Sequence, residues 1–483
     1  MTRQDPIPLT IPTEKYIPAV IDNVIRLKKT AVPQELLSQL RNELTRENPA
    51  YHQMAALRAA QPHKYRYTKM PPSTICSIGD SDSSIFIPRG FRRRLIQLAN
   101  EHGKLLKFHD KTISFKRNTD IIFNGNITLK DYQRQALSKL ALGREGALVA
   151  PCGAGKTVIG ISLMCAIAQP TLVLVHTTDL MQQWHRELAA LCTMPTQAGQ
   201  WGGGVKRRET VTVATIQTLV KMQPDDLREF LDHFGCVILD ECHHCPADTF
   251  LAIINFCRAR YRFGLTATPK RKDKLEFLMT DVIGPILLEI DDDELVKEGR
   301  SQQCDVTEIY TATYTKHTAR DWTKLIKALI EDESRNRLIV NTAVSCWENG
   351  DQQLILSDRV SHCHELYKLL SRTGMNVQLL VGSVSKTVRE KIIQDAKQGL
   401  VDAIIATKVA DEGLDIETLS VIHLTCPTEH ESLLKQRIGR IRRPVEGKVS
   451  VVYDYIDSRV PACLRMALNR RRLYKRWGFS ITK

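Results

Sequence analysis

One eight-residue stretch does most to restrict what this chain can fold into. Ala150-Pro151-Cys152-Gly153-Ala154-Gly155-Lys156-Thr157 follows the apolar run Gly146-Ala147-Leu148-Val149 and precedes the apolar run Val158-Ile159-Gly160-Ile161-Ser162-Leu163-Met164. That pattern reads as strand, tight loop and helix. In such a loop the backbone N–H groups and the positive end of the helix cradle phosphates. Gly153, Ala154 and Gly155 supply the close-approaching backbone. Lys156 is placed to neutralise β- and γ-phosphate charge, and the Thr157 hydroxyl to hold Mg²⁺, which makes ATP and Mg²⁺ the expected cofactors. The first glycine of the usual loop pattern is replaced here by Ala150. The rival explanation, a plain glycine turn ahead of a helix, leaves the other pieces of a nucleotide site downstream unexplained.

A chain of 483 residues has room for two or three domains. Lys plus Arg number 68 against 54 for Asp plus Glu, a net charge of +14, and this excess points to a polyanionic partner, most simply nucleic acid. The 13 cysteines show no paired spacing and sit largely in apolar runs, as Cys165, Cys236 and Cys257 do, so reduced core thiols are expected. Cys242-His243-His244-Cys245 is the nearest approach to a metal cluster, yet consecutive residues do not easily surround one ion, so no zinc site is expected. The start has no secretory pattern and no apolar run suits a bilayer, so a soluble, cytoplasmic, membrane-free chain is expected, in the host cytoplasm if the source is a phage.

Residues 1–125 lack the strand–helix alternation that follows and read as a small α+β accessory domain. Residues 32–46 form an amphipathic helix on Leu36, Leu37, Leu40 and Leu44, stopped by Glu47-Asn48-Pro49. The stretch His63, Lys64, Tyr65, Arg66, Tyr67, Lys69 interleaves bases with aromatics; it suits either nucleic-acid contact or a solvated face. Ile85-Phe86-Ile87 is a strand that turns into a helix over 91–102, and Arg89, Arg92 and Arg93 there are candidate phosphate contacts. Residues 105–108, 112–115 and 121–123 are candidate strands.

From Leu129 apolar strand runs alternate with helical segments, the mark of a parallel sheet covered on both faces. Asp240 and Glu241 end one such strand. Ligands bind outside the carboxyl ends of strands in these sheets, so Asp240 is placed to hold Mg²⁺ and Glu241 to orient and deprotonate a water. Two adjacent buried acids are costly unless a cation joins them. Thr266-Ala267-Thr268-Pro269 leaves a neighbouring strand. Residues 126–295 thus form one domain, 296–335 a polar linker, and 336–460 a second alternating domain without a phosphate loop. That second domain carries Gln436-Arg437-Ile438-Gly439-Arg440-Ile441-Arg442-Arg443, whose arginines repel one another unless an anion joins them. A basic helix over 461–483 closes the chain, suited equally to nucleic acid and to solvent.

In this order the residues resemble superfamily 2 helicases over 129–455. The resemblance implies two tandem RecA-like parallel-sheet domains behind the accessory domain. It makes Tyr132-Gln133 the adenine-reading region, with Gln133 the reader, and Gly153 to Thr157 the first helicase motif. Asp240-Glu241-Cys242-His243 is similar to the DExH box; Thr266 and Thr268, with His243, would couple hydrolysis to domain movement. Thr177, Thr215, Arg359 and Thr407 fall in segments that touch the nucleic-acid backbone. Gly413 and Asp415 lie in a nucleotide-proximal motif, and Gln436, Arg440 and Arg443 in the motif that supplies arginine fingers. Thr266 to Arg271 together with the DExH box is most similar to the XPB-like and phage UvsW-like motors. The implied activity is ATP-dependent translocation on DNA, forked, branched or single-stranded, by a monomer gripping mostly phosphate. The rivals are an RNA helicase, a motor subunit of a restriction or defence complex, and a nucleic-acid clamp that does not hydrolyse ATP.

Overall fold

The computed structural model describes residues 15–118, 120–124, 128–151, 153–244, 248–267, 274–299, 301–407, 414 and 416–482. Two compact units make up the chain, one taking Met1–Val149 together with Lys156–Glu289, the other Ala150–Gly155 together with Ile290–Lys483. Among the described residues, the first unit holds a five-stranded and an eight-stranded sheet, and the second a seven-stranded sheet.

The five-stranded sheet runs in the order Gly79–Asp80, Ser84–Pro88, Val24–Lys28, Tyr16–Ile21, Leu105–Asp110. Its pairings are antiparallel except that Tyr16–Ile21 runs parallel to Leu105–Asp110. Helix Gln34–Leu44 buries Leu36, Leu37, Leu40 and Leu44, and helix Arg92–Glu101 buries Leu95, Leu98 and Ala99. These close one core with Ile25, Leu27, Ile85 and Ile87 of the sheet. The first helix is shorter than the apolar spacing suggests. Pro33 is extended (ψ 144°) and stands at its cap, and Thr45–Glu47 leaves as a strand that pairs antiparallel with Thr74–Cys76. The expected strand over 112–115 is a single bridge: Ile113 donates to Arg258 O (2.7 Å) and accepts from Arg260 N (2.8 Å), which uses both its backbone groups and leaves no ladder to extend.

The eight-stranded sheet runs Val205–Arg207, Gly199–Gly202, Val211–Thr215, Thr171–Val175, Cys236–Asp240, Tyr261–Thr266, Glu145–Val149, Ile286–Glu289. All neighbours are parallel except the outermost Val205–Arg207, an edge strand that carries Lys206 and Arg207 into solvent. Four inner strands are buried at every residue, which is why they read as unbroken apolar runs rather than alternating ones. The order sets the C-terminal ends of Cys236–Asp240, Tyr261–Thr266 and Glu145–Val149 side by side.

The accessory domain docks at the opposite, N-terminal ends of those strands, and Arg89 makes the joint. This corrects its assignment as a phosphate contact. Arg89 is 2% exposed; Nε donates to Glu145 Oε2 (3.1 Å), Nη1 to Ala259 O (2.6 Å) and Asp22 O (3.2 Å), and Nη2 to Arg260 O (2.6 Å). Its donors serve the protein interior, and none is turned to a phosphate. The next residue must be glycine for the same reason, since a Cβ on Gly90 would lie 2.3 Å from Thr280 O. Arg92 also turns inward, 3.9 Å from Glu145 and stacked 5.1 Å over the Phe108 ring, whereas Arg93 is exposed.

In the second unit the order is Val377–Leu380, Ala403–Ala406, Gln353–Leu356, Val421–Leu424, Ser450–Ile456, Cys304–Tyr310, Ser480–Thr482, all parallel. Two expectations change. The segment 296–335, read as a linker, contributes the strand Cys304–Tyr310 and the helix Trp322–Ile330. The segment 461–483, read as a basic helix, is a helix Pro461–Arg476 built into the fold: Arg470 is buried on Asp454 (2.6 and 2.8 Å) and Arg471 pairs with Glu308 (2.7 Å). No helix among the described residues is long and apolar enough to cross a membrane.

Candidate nucleotide site

The loop leaving Glu145–Val149 enters the helix Lys156–Ile167 through Gly153 (φ 85°) and Gly155 (φ 73°). Both are left-handed, a conformation that strains any side chain, so the two glycines are dictated by the turn. Between them Ala154 is buried, and its N–H reaches Pro151 O at 3.3 Å. Lys156 and Thr157 then open the helix, half-buried. Further along, a Cβ on Gly160 would lie 2.8 Å from the Trp184 ring and 2.9 Å from Leu265, so this glycine lets the helix settle onto the indole.

Trp184 is a residue the sequence reading missed. It is fully buried in the helix Thr178–Leu191 and donates Nε1–H to Asp240 Oδ2 at 2.8 Å. The second oxygen of Asp240 accepts from the Glu241 N–H at 3.0 Å. Asp240 is nonetheless an acid short of positive charge. Burial, and after it the Glu241 charge, push its pKa up to about 6, against the pull of the Trp184 bond and of Lys156. Such a carboxyl fits a metal cation.

Glu241 stands in the left-handed region at φ 48°. A non-glycine residue held there costs on the order of 1–3 kcal/mol and is typical of functional sites. The strained backbone carries the carboxylate to 4.0 Å from Lys156 Nζ and 3.3 Å from His243 Nδ1. His243 Nδ1 shares a 2.9 Å hydrogen bond with the Thr266 hydroxyl, and Thr266 is fully buried at the end of its strand. A continuous line therefore runs Lys156, Glu241, His243, Thr266. Cys242 turns the other way, 1% exposed and 3.5 Å from Met279 Sδ; a Cβ on Gly264 would touch its sulfur at 2.6 Å. Burial and the two neighbouring carboxylates push this thiol well above its ordinary pKa, so it is packing rather than chemistry.

Gln133 is buried in the first turn of the helix Asp131–Leu142, which packs on Lys156–Ile167; its Oε1 accepts from Lys130 N at 3.0 Å. Thr177 caps the helix Thr178–Leu191 by accepting from Leu180 N (3.2 Å), and Thr215 is 4% exposed with its hydroxyl 2.8 Å from that of Thr218. Both lie at the same edge as Asp240, at the ends of adjacent parallel strands. Thr268, Gly413 and Asp415 lie outside the described residues.

In the second unit, Thr407 follows the strand Ala403–Ala406 with 9% exposure, and Arg359 caps the helix Val360–Leu370, its N–H on Ser357 Oγ at 3.2 Å. Gln436 sits half-buried on the helix Glu431–Ile438. The arginine cluster divides in two. Arg437 is buried on Asp358 (2.8 Å), and Arg442 is buried on Asp292 and Gln302 O (2.8 Å) and stacked on Phe479. These two are neutralised within the fold, which corrects the reading that an external anion must join every arginine. Arg440 and Arg443 are half-buried, on Leu414 O (2.7 Å) and near Glu417 (3.7 Å).

Two parallel-sheet units in tandem, the first ending its inner strands in a phosphate loop and a DExH box, are the motor of a superfamily 2 helicase, an ATP-driven enzyme. Residues 126–271 match the family model described as type III restriction enzyme, res subunit, and residues 334–445 match the helicase conserved C-terminal domain. Within the superfamily the chain resembles the XPB group: the DNA 3'-5' helicase XPB of Mycobacterium tuberculosis is 25% identical over 485 residues, 95% of this chain and 85% of that protein. A protein of Acanthamoeba polyphaga mimivirus named as a candidate ATP-dependent RNA helicase, L396, is 27% identical over 382 residues, 75% of this chain and 70% of that one. The structure of Saccharomyces cerevisiae Dbp5 bound to RNA and ADP BeF3 shares the fold, two RecA-like domains, with a TM-score of 0.53 and 16% identity over 73% of this chain and 88% of that one. The crystal structure of T4 UvsW aligns with 96% of this chain and 98% of its own at a TM-score of 0.41 and 18% identity.

Proposed function

We propose that this chain is a DNA translocase or helicase that works at forked or branched DNA, in repair, recombination or replication. The observation that carries the reading is the line Lys156–Glu241–His243–Thr266, which ties the ATP-facing carboxylate to a strand end leading out of the site. ATP with Mg²⁺ supplies a transferable γ-phosphoryl group whose charge the cation draws off. Gly153 to Thr157 would cradle the phosphates, Thr157 and Asp240 would hold the cation, and Gln133 would read the base. Glu241 would orient and deprotonate the attacking water, a contribution worth about 10²–10⁴-fold for a positioned base. Thr266 and Thr268, with His243, would pass the change in charge at Glu241 onward. Gln436, Arg440 and Arg443 would supply positive charge to the γ-phosphate, and Thr177, Thr215, Arg359, Thr407 and Arg93 would touch the nucleic-acid backbone.

DNA is favoured by the relative whose alignment extends through the accessory domain, a DNA helicase by name; the net charge of +14 suits either nucleic acid. The second reading, an RNA motor, is favoured by the mimivirus relative. The deciding measurement is the ATPase rate alone and with single-stranded DNA, a fork, a four-way junction and RNA of equal length. Greater stimulation by fork or junction than by RNA is the expected result; stimulation by RNA alone would overturn the DNA reading. The protein is taken to act as a monomer, which sedimentation of the DNA-bound form tests.

A further inference from the structure

The accessory domain sends out an arm that neither its own core nor the nucleotide site uses. The strands Thr45–Glu47 and Thr74–Cys76 pair antiparallel as a stem. Beyond them lies the head: its helix Pro49–Ala60 buries none of its residues, and its single turn Pro62–Tyr65 leads into residues 66–69, which are exposed. Hydrogen bonds hold the head in shape in place of a core. Asn48 accepts from Ala50 N (3.0 Å) and donates to Pro72 O (2.8 Å), and the Arg58 guanidinium closes onto Tyr65 O (3.2 Å) and Thr68 O.

Charge separates this segment from the rest of the protein. From Asn48 to Ser73 there is no aspartate or glutamate, while Arg58, Lys64, Arg66 and Lys69 are present. Elsewhere in the first unit several arginines are matched within the fold, as Arg89 is by Glu145 and Arg94 by Glu43. On the head, Arg66 and Lys69 are exposed, and Tyr67 is 90% exposed with the Arg66 guanidinium 5.7 Å from its ring centroid. Cations beside an uncovered aromatic face are what a strand with unpaired bases calls for: phosphates for the charges and a base for the ring. The stem is anchored. Arg46 grips Asp281 with two bonds (2.6 and 3.1 Å), Ser77 Oγ adds a third (2.8 Å), and Asp281 is 3% exposed on the motor helix Glu276–Ile283.

We propose that this arm is a binding site for single-stranded nucleic acid, with Arg66 and Lys69 on the phosphates and a base stacked on Tyr67. The proposal rests on the nucleic-acid motor reading and names a contact within it. The test uses the full-length chain and fluorescence anisotropy with a labelled single-stranded oligonucleotide and a blunt duplex, over a salt series. Tyr67→Ala is expected to weaken single-strand binding by roughly 5- to 100-fold and to leave blunt-duplex binding as it is. Arg66→Ala with Lys69→Ala is expected to lower the slope of log Kd against log salt by about 1.4, or ~0.7 for each phosphate that no longer meets a cation. The unstimulated ATPase rate and thermal melt serve as folding controls, since none of these residues touches the nucleotide site. Wild-type affinity and slope in both variants would overturn the arm while leaving the motor reading intact. A wild-type protein that binds neither oligonucleotide would overturn both.

Discussion

At the N-terminal ends of the eight-stranded sheet, Glu145 is closed in by the buried Arg89 and by Arg92; at the C-terminal ends, Asp240 accepts from an indole N–H and a backbone N–H, and among the described residues no cationic side chain is seen to pair with it. Both carboxylates are buried. Beside Glu145 the backbone is supported by three further hydrogen bonds from Arg89, and beside Asp240 it is strained, with Glu241 at φ 48°. One end is complete and acts as a joint. At the other, burial and the neighbouring Glu241 charge raise the Asp240 pKa, which suits it to a cation. A buried acid therefore marks function only when its compensation is incomplete.

The strongest way to break this comparison is Glu241→Gln. It is expected to lower steady-state ATP turnover by about 10²–10⁴-fold with the thermal melt retained; wild-type turnover would remove Glu241 from the chemistry. Arg89→Met attacks the completed end, and breaking a buried pair costs about 3–5 kcal/mol. Urea unfolding should show that loss, and a loss below ~1 kcal/mol would mean that the joint holds without it.

Asp240→Asn sharpens the contrast by having the opposite sign. Asp240 holds its proton more tightly folded than unfolded, so its charge destabilises the ligand-free protein above about pH 6, and that penalty is relieved as the pH falls from about 6 toward the ordinary 3.8. The variant should be more stable at pH 7.5 by on the order of 2 kcal/mol, lose turnover, and lack the wild-type gain in stability between pH 6 and pH 4. A variant less stable than wild type at pH 7.5 would contradict the charge argument. Trp184→Phe should have the smallest effect, on the order of a tenfold loss of ATPase at limiting Mg²⁺ (a charged hydrogen bond contributes about 1.5–3 kcal/mol). The acid limb of its pH profile should move to higher pH, because the bond that lowers the Asp240 pKa is gone; an unmoved limb would make Trp184 mere packing.

The C-terminal ends were the readable part of the molecule. A phosphate loop and paired acids obey local rules of spacing, and the buried strands beneath them have an unmistakable apolar run. Trp184 was not readable, since an indole on an amphipathic helix looks like core until Asp240, 56 residues on, is placed beside it. Arg89 misled for the opposite reason: Pro88-Arg89-Gly90 is a polar turn by composition, and only the partners Glu145, Ala259 and Arg260 make it an interior residue. Cys304–Tyr310 was hidden by its own alternation, with Cys304, Val306 and Glu308 buried and polar residues between them, in a stretch whose acidic start suggested a linker.

The strand order of the second unit has a consequence for the growing chain on the ribosome. The first unit has all its strands once Glu289 has emerged. Cys304–Tyr310 instead lies between Ser450–Ile456 and Ser480–Thr482, and its first residue pairs with Ser450, so at ordinary synthesis rates it waits on the order of ten seconds for a partner. During that interval a strand with alternating apolar residues presents two open edges, the condition under which nascent chains pair with one another. Chains cut short between these points would carry a finished nucleotide-binding unit attached to an unfinished sheet, a product fit to aggregate rather than to move.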